Sequence, residues 1–593
     1  MSLRSLLDNW MRRRGAPGGG AGAPDGPEGG ERQLRQLLDE GLRNGEAGDL
    51  AGAARCFSRA AELQHDSAEA HRLLGRVHRE QGNLEDAADC FELASHFAPD
   101  MVEAWIDLAA ALRGLGRLDE AEAACRRAAE LAPWLPEAQS ELANLAKSRG
   151  DLEGAIAGYH DALRLRPDFV PALCNLGYTL HALGRFAEAQ RELEQALSQD
   201  PLLAEAHHNL GLALREQGRP AQALACFERA LELRPNLIET RAAAAHCLRD
   251  LGQLNEAIAA YGNVLAGKPD FGDAVINRCY AYLQNGEYVA GWAEYERRFA
   301  ATQTSPRYFP YPLWRGETLA GRTLLVYAEQ GLGDEIMFAS CLPDVLAHAG
   351  RCVIECNARL APIFGRSFPA AVIHGGAKGD AVDWLSGVPP IDCQLPIGSL
   401  PRHVRATAGA FPRHAGYLRA DPVAVERWRS RLARAGNGLK VGLSWRGGTP
   451  ATRGLLRSIP LEMLAAAVGG SGATLICVQY GDIAADIVRA NAANGVKVND
   501  LLDDNHDMDE SAALISALDL VVSVDNTVVH LAGALGRPVW VLLSASPEWR
   551  YPRTGAAMPW YPSARLFRQP RAGDWNSVLA EVRSALAKAP RAD

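Results

Sequence analysis

Between residues 34 and 305, apolar residues recur at three- and four-residue intervals, the spacing that lines up one face of a helix, and the pattern restarts every 34 positions. Glycines fall at Gly48, Gly82, Gly116, Gly150, Gly184, Gly218, Gly252 and Gly286. Five residues after each stands Ala53, Ala87, Ala121, Ala155, Ala189, Ala223 or Ala257, with Gly291 in the last unit. Prolines keep the same period at Pro99, Pro133, Pro167, Pro201, Pro235 and Pro269. Each unit therefore reads as a helical hairpin. Glycine permits the tight turn, and the small residue lets the two helices approach closely. Phe57, Phe91, Tyr159, Phe227 or Tyr295 fills the space between them, and proline stops the second helix. One hairpin cannot cover its own apolar face, so about eight should stack into an α-solenoid with a concave groove.

The period changes near residue 300. Residues 303–314, QTSPRYFPYPLW, read as a proline- and aromatic-rich joint. Beyond it come short β-branched runs separated by helices: TLLVYAE at 323–329, CVIEC at 352–356 and AAVIH at 370–374. A second set follows: LKVGLSW at 439–445, ATLICVQ at 473–479, LDLVVSV at 518–524 and PVWVLL at 538–543. An arginine-, proline- and alanine-rich stretch at about 400–437 separates the sets. The expected architecture is two doubly wound, Rossmann-like α/β lobes over residues 306–425 and 438–593, with a cleft between the carboxyl ends of their strands.

Composition narrows the function. With 62 basic and 71 acidic side chains, the net charge of −9 has the wrong sign for a protein held to nucleic acid by phosphate neutralisation. The 12 cysteines lie scattered without a C-x-x-C pair, several at helical apolar positions, so they read as small core hydrophobes in a reducing, cytoplasmic compartment. No run approaches the ~20 apolar residues that span a bilayer. Residues 1–33 form an amino-terminal tail: GAPGGGAGAPDGPEGG at 15–30 is a flexible spacer. Ahead of it Leu3, Leu6, Leu7, Trp10 and Met11 make a helical stripe followed by Arg12, Arg13 and Arg14. That stripe reads either as a frayed extension or as a peripheral contact with the inner face of a membrane or with a partner.

The 34-residue pattern resembles the tetratricopeptide repeat. In that family the sixth position of a unit lies on the first helix and faces the concave side; here it holds Asp39, Leu73, Asp107, Glu141, Asn175, Asn209, Ala243 and Asn277. Asparagine offers a donor and an acceptor, which suits an extended peptide, so Asn175, Asn209 and Asn277 are candidate groove residues for a protein or peptide partner. The plainer reading is that asparagine is merely common at this position.

Two strand-to-helix turns carry candidate chemistry. The first, Glu329-Gln330-Gly331-Leu332-Gly333-Asp334-Glu335, ends the first strand of lobe one. Gly331 and Gly333 let backbone approach a ligand, and Asp334 reads equally as a helix cap or a general base. The turn lacks the third glycine of a dinucleotide fingerprint. The second, Ser523-Val524-Asp525-Asn526-Thr527-Val528-Val529-His530, opens a helix whose free N–H groups and dipole favour an anion; a capped surface helix is the alternative. Asp507-Met508-Asp509 copies a metal-binding Asp-x-Asp, but its acidic run leading into a helix reads better as a solvated helix start.

Around these turns the carboxy-terminal half resembles the heptosyltransferase-type glycosyltransferases of the GT-B fold. The matching stretches are WRGETLAGRTLLVYAEQGLGDEIMFA at 314–339, RSIPLEML at 457–464, SVDNTVVHLAGALGRPVWVLL at 523–543, and the segments around EWRYPR at 548–553 and PWYPSARLFRQ at 559–569. In layout the chain is also similar to the O-linked N-acetylglucosamine transferases. The resemblance implies transfer of a sugar from a nucleotide-sugar donor without metal or other cofactor. It places Asp334 as the base, and Asp525, Asn526, Thr527 and His530 at the donor's phosphates and ribose. Asn526 stands where threonine or serine is usual, and Thr527 where glycine is common. A lysine of the family is missing after the Trp-containing strand of lobe two, which makes Arg446 or Arg457 the replacement cation for the leaving diphosphate. Gln479, at a strand end, is placed near the nucleobase. The competing reading is a non-catalytic repeat scaffold with a degenerate nucleotide-sugar-binding domain.

Overall fold

A computed structural model of the protein describes residues 26–305, 307–376, 381–411, 413–448, 454–502 and 507–588. The amphipathic stripe at residues 1–14 lies outside the described residues. The chain forms two compact units, one ending at Ala213 and the other beginning at Leu214.

The first unit is built of helical hairpins such as Ala68–Glu80 with Leu84–Phe97 and Pro136–Ser148 with Leu152–Leu165. All eight periodic glycines, across both units, have φ between 74° and 84°, left-handed backbone in which a side chain would be strained. Ala53, Ala87, Ala121, Ala155 and Ala189 have no exposed surface, as the close approach of paired helices requires. A second small position went unread in the sequence. At Gly41, Gly75 and Gly177, seven residues before a turn glycine, an added Cβ would come within 2.5–2.7 Å of Phe57, Phe91 or Leu193. The large residue on the second helix is thus seated over a missing side chain on the first. The first helix, Gly26–Glu46, begins inside the stretch expected to be spacer. Its glycine-rich start, GPEGG, hides the apolar pattern that only begins at Leu34.

The second unit continues with the hairpins Ile238–Asp250 with Leu254–Gly267 and Gly272–Gln284 with Tyr288–Tyr295. Residues 303–322 then contain no helix among the described residues, and the α/β part follows. Its first lobe holds a parallel sheet of order β3-β2-β1-β4, with β1 Thr323–Tyr327, β2 Arg351–Asn357, β3 Val372–Gly376 and β4 Cys393–Pro396. The second lobe contains β5 Lys440–Ser444, β6 Thr474–Cys477, β7 Val498–Asn499, β8 Leu520–Val524, β9 Val539–Leu543, β10 Ala557–Met558 and β11 Tyr561–Arg568. They pair in the order β10-β11-β9-β8-β5-β6-β7, parallel except for β10 with β11. The architecture is a tetratricopeptide-type α-solenoid followed by two α/β lobes of the GT-B kind.

The stretch at 400–437 is not a plain break. Pro422–Ala435 is a helix capped by Asp421, with Ala424, Val425, Trp428 and Leu432 buried along one stripe. Its other faces carry the arginines that disguised it. The acidic run has structural work as well. Asp507 caps the helix Met508–Ala517, Asp509 is paired with Arg366, and Glu510 accepts from the Trp428 indole N–H at 2.9 Å.

The last repeats and the lobes share one core. Trp292, on the final hairpin, is 1% exposed and donates its indole N–H to the Arg405 carbonyl at 2.9 Å. Edge-on contacts join it to Phe338 of the first lobe and to Trp549 and Trp560 of the second. Arg298 and Glu329, each 5% exposed at the side chain, form an ion pair at 2.8 Å just before the Gly331 turn. Among the described residues, no helix is long and apolar enough to cross a membrane.

Candidate active site

Strand β1 delivers the chain into the helix Leu332–Phe338, whose N-cap position is Gly331. Asp334 lies in the first turn of that helix, but its side chain makes no cap; it meets Arg550 instead. Strand β8 delivers the chain into the helix Thr527–Ala534, capped by Asn526. The two helix starts face each other. A Cβ placed on Gly333 would sit 3.2 Å from the His530 ring and 3.4 Å from the Thr527 hydroxyl, so the glycine is what permits this approach. Gly331 has more room, with an Asp334 carboxylate oxygen 3.9 Å from the position of a Cβ.

Between the turns runs a chain of alternating charge. Arg550 donates to Asp334 Oδ1 through Nε at 3.2 Å and also through Nη2. Its Nη1 lies 3.9 Å from Glu548. Glu548 accepts from Arg457 Nη1 at 2.7 Å, and Arg457 Nη2 reaches both the Asp525 carbonyl at 3.0 Å and its carboxylate at 2.9 Å. All five side chains are largely shielded from water, at 6–28% exposure. Burial disfavours the charge on both arginines. For Arg550 that effect is outweighed by Asp334, Glu548 and Asp525, and for Arg457 by Asp525 and Glu548, so both pKa values rise above the ordinary value. Neither Arg550 nor Glu548 was assigned a role from sequence. Both stand in the EWRYPR stretch, more than 200 residues from Asp334, and only the fold closes that distance.

His530 is fully enclosed. Burial first, then Arg550 and Arg457, push its pKa down to about 3, so it is a neutral imidazole at physiological pH, with Nδ1 3.0 Å from the Tyr561 hydroxyl. It offers a hydrogen bond and no positive charge.

Several candidates are absorbed in holding the strand ends together. Asn526 Oδ1 accepts from the Val528 N–H at 3.0 Å and the Ser523 hydroxyl at 3.1 Å, while Nδ2 donates to Ser444 and to the Arg446 carbonyl. Its side chain thus pins β8 to β5. Gln479 Oε1 accepts from the Ser444 hydroxyl and from the N–H groups of Trp445 and Arg446 at 2.9–3.0 Å, and Nε2 donates to the Tyr480 carbonyl. Arg446 is bound to Asp486 and to the Asp482 carbonyl. Of the two cations singled out in the sequence, it is Arg457 that lies against the Asp525 turn.

Two cavities flank these turns. One, of about 340 Å³, is lined by Thr527 and Val528 at the helix start, by Val478, Gln479 and Tyr480 after β6, and by Leu332 and Arg359 from the first lobe. The other, of about 710 Å³, opens between repeat residues including Arg215, His246, Asp273 and Asn277 and the second-lobe segments 544–549 and 569–573; Arg457 and Glu548 lie on its wall.

Asn175 and Asn277 are engaged within the array. Lys147 donates to Asn175 at 3.0 Å and Arg249 to Asn277 at 2.6 Å, each across 28 residues; Arg79 to Asp107 and Arg113 to Glu141 repeat the spacing. Asn209 is buried. This cross-repeat ladder favours the structural reading of the sixth position over a free peptide-binding row. Ala243 interrupts it, and Arg215, 28 residues earlier, pairs instead with buried Asp250 at 3.0 Å. Asp250 in turn accepts from Ser546 of the second lobe at 3.0 Å.

Glu335, next to Asp334, is 3% exposed and accepts from the Asn357 N–H at 2.9 Å. Burial pushes its pKa up to about 7, Asn357 partly opposes this, and Asp334 and Glu329 add to it. The native state therefore binds more protons than the unfolded chain between the ordinary carboxylate value and about pH 7, and this group's contribution to stability falls as pH rises through that window. Glu335→Gln keeps the acceptor and removes the titration. Urea unfolding should show the variant gaining on the parent by about 2 kcal/mol between pH 5 and pH 8; parallel stability–pH curves would refute this.

Tetratricopeptide-repeat models match residues 38–94, 102–145, 143–184, 169–236 and 202–268. The glycosyltransferase family 9 (heptosyltransferase) model matches residues 473–575, spanning β6 to β11 and the Asn526-capped helix. The chain carries tetratricopeptide repeats and a carboxy-terminal glycosyltransferase family 9 domain. A curated relative, Protein FlbA of Caulobacter vibrioides (strain ATCC 19089 / CIP 103742 / CB 15), is 34% identical over 324 residues, covering 52% of this chain. The match spans 54% of that relative, about half its length. Solved structures similar to the repeats include PilF of Pseudomonas aeruginosa, at 25% identity, TM-score 0.29, and 34% and 87% coverage of the two chains. The Cut9–Hcn1 hetero-tetramer of APC/C matches at 18% identity, TM-score 0.33, and 37% and 45% coverage. Within the family 9 domain, Asp525, Asn526, Thr527, His530 and the Glu548–Arg550 segment all fall inside the matched residues, whereas Asp334 lies in the lobe before it.

Proposed function

We propose that this protein transfers a sugar from a nucleoside-diphosphate sugar to an acceptor hydroxyl, and that its repeats bind the acceptor protein or a partner. The observation that carries this reading is the meeting of the Asp334 turn with the Asn526-capped helix inside one shielded, charge-lined crevice. In this reading the nucleoside occupies the 340 Å³ cavity beside Thr527 and Val528, and the diphosphate lies at the helix start beside Arg457. The acceptor enters through the 710 Å³ cleft, which runs from the repeats to Arg457 and Glu548. The acceptor oxygen bonds to the anomeric carbon as the bond from that carbon to the phosphate oxygen breaks. The bonding pair leaves with the nucleoside diphosphate, and the acceptor's proton passes to Asp334. Positive charge from the arginines and the helix stabilises the leaving group without a divalent ion. Contact between the two helix starts keeps water from the donor.

The test is release of nucleoside diphosphate from a panel of nucleotide sugars, with chelator present and candidate acceptors added. Acceptor-dependent release in chelator is the expected result. Tight donor uptake with no release would favour the scaffold reading, which the neutralisation of Asp334 by Arg550 keeps in play. No uptake of any donor would end both.

A further inference from the structure

The two arginines of the charged chain are held differently. Arg457 is fixed at three points: the Asp525 carbonyl, the Asp525 carboxylate and Glu548. Arg550 directs both of its hydrogen bonds to one oxygen of Asp334, and its approach to Glu548, at 3.9 Å, is too long for a hydrogen bond. A guanidinium has five N–H donors in a fixed fork suited to phosphate, and this one rests against the Trp549 ring at 5.0 Å, which holds it at the crevice. The group of three carboxylates and two guanidiniums carries a net charge of −1. A diphosphate settling beside it adds further negative charge, which a cation drawn from one of the carboxylates would offset.

We propose that Arg550 is an exchangeable partner, bound to Asp334 in the empty protein and transferred to the donor's diphosphate on binding, so that donor occupancy frees the carboxylate that receives the acceptor's proton. This rests on the glycosyl-transfer reading above. Its consequence is an order of events. Arg550 occupies Asp334 Oδ1 in the empty protein, so that oxygen is open to the acceptor's hydroxyl only once the donor has drawn the guanidinium away. Arg550 then faces the leaving diphosphate, where negative charge grows as the bond to the sugar breaks. Acceptor arriving first meets a carboxylate oxygen already taken by Arg550.

Calorimetric titration of the full chain with ADP, UDP, GDP and CDP tests this through a double-mutant cycle on Asp334 and Arg550, using the diphosphate that binds tightest. Arg550→Gln should weaken binding by about tenfold or more. Asp334→Asn should tighten it by about fivefold, because Arg550 then leaves a neutral acceptor rather than a charged one. The sign of the coupling decides. Exchange predicts that the gain from Asp334→Asn shrinks in the Arg550→Gln background. Simple repulsion between Asp334 and the phosphates predicts that it grows there, since the carboxylate is then unshielded, and that result would overturn the proposal while leaving the donor reading intact. Absence of binding by the parent protein would overturn the donor reading itself, and the exchange with it. Arg550→Met, also neutral and able to keep a stem against Trp549, serves as the second background should the glutamine variant not fold; the gain should shrink there too, and an undiminished gain rejects exchange.

Discussion

Asp334→Asn should lower sugar transfer by about 10³-fold, within the 10²–10⁴ range of general-base removal, in a protein that still folds and still binds nucleotide. The amide has the shape of the carboxylate and still accepts a hydrogen bond from Arg550, so the Leu332–Phe338 helix start has no reason to move. Arg550 keeps its approach to Glu548, so its charge is not left without a counter-ion, and the cost in stability should stay below the roughly 3–5 kcal/mol of a broken buried pair. What the amide cannot do is take a proton from the acceptor. Measuring acceptor-dependent release of nucleoside diphosphate alongside calorimetric binding separates the two effects. Turnover within tenfold of the parent would remove Asp334 from the role of base. Loss of binding together with turnover would place it in donor recognition instead.

The second large effect is on the shared core of the last repeat and the two lobes. Trp292→Ala should cost about 3–5 kcal/mol, the range for removing a buried large aromatic. The indole is 1% exposed, contacts rings from both lobes, and satisfies the Arg405 carbonyl, which would lose its donor. Calorimetry should show the transition that unfolds this core moving to lower temperature by several degrees. A transition that stays in place would contradict the shared core. The same variant should lose transfer activity at temperatures the parent tolerates, since Phe338 and Trp549, beside the Asp334 and Arg550 turns, lose their common packing partner.

Local features were legible where the chain's own period or composition carried them. The turn glycines were readable because left-handed backbone recurs every 34 residues and only glycine takes it without strain. Strands β1, β2, β5, β6, β8 and β9 were readable because burial on both faces demands an unbroken apolar run. Strand β11 was not, since YPSARLFR alternates buried and exposed residues at the outer part of the sheet. The helix Pro422–Ala435 was obscured by the arginines on its solvent side.

Within the site, sequence order alone placed Asp334 and the Asp525–His530 turn at strand ends, where a parallel α/β lobe opens its cleft, because a strand followed by a helix is a local pattern. Which side chains face the crevice was decided by tertiary structure. Asn526 and Gln479 turn inward because the ends of β5, β6 and β8 leave N–H and hydroxyl groups that must be satisfied once buried. Asn175 and Asn277, at the sixth repeat position, are claimed by a cation 28 residues earlier, a distance one hairpin spans only after stacking. Arg550 and Glu548 join Asp334 across more than 200 residues, and no periodicity encodes a contact between charges brought together where two lobes meet over a shared core.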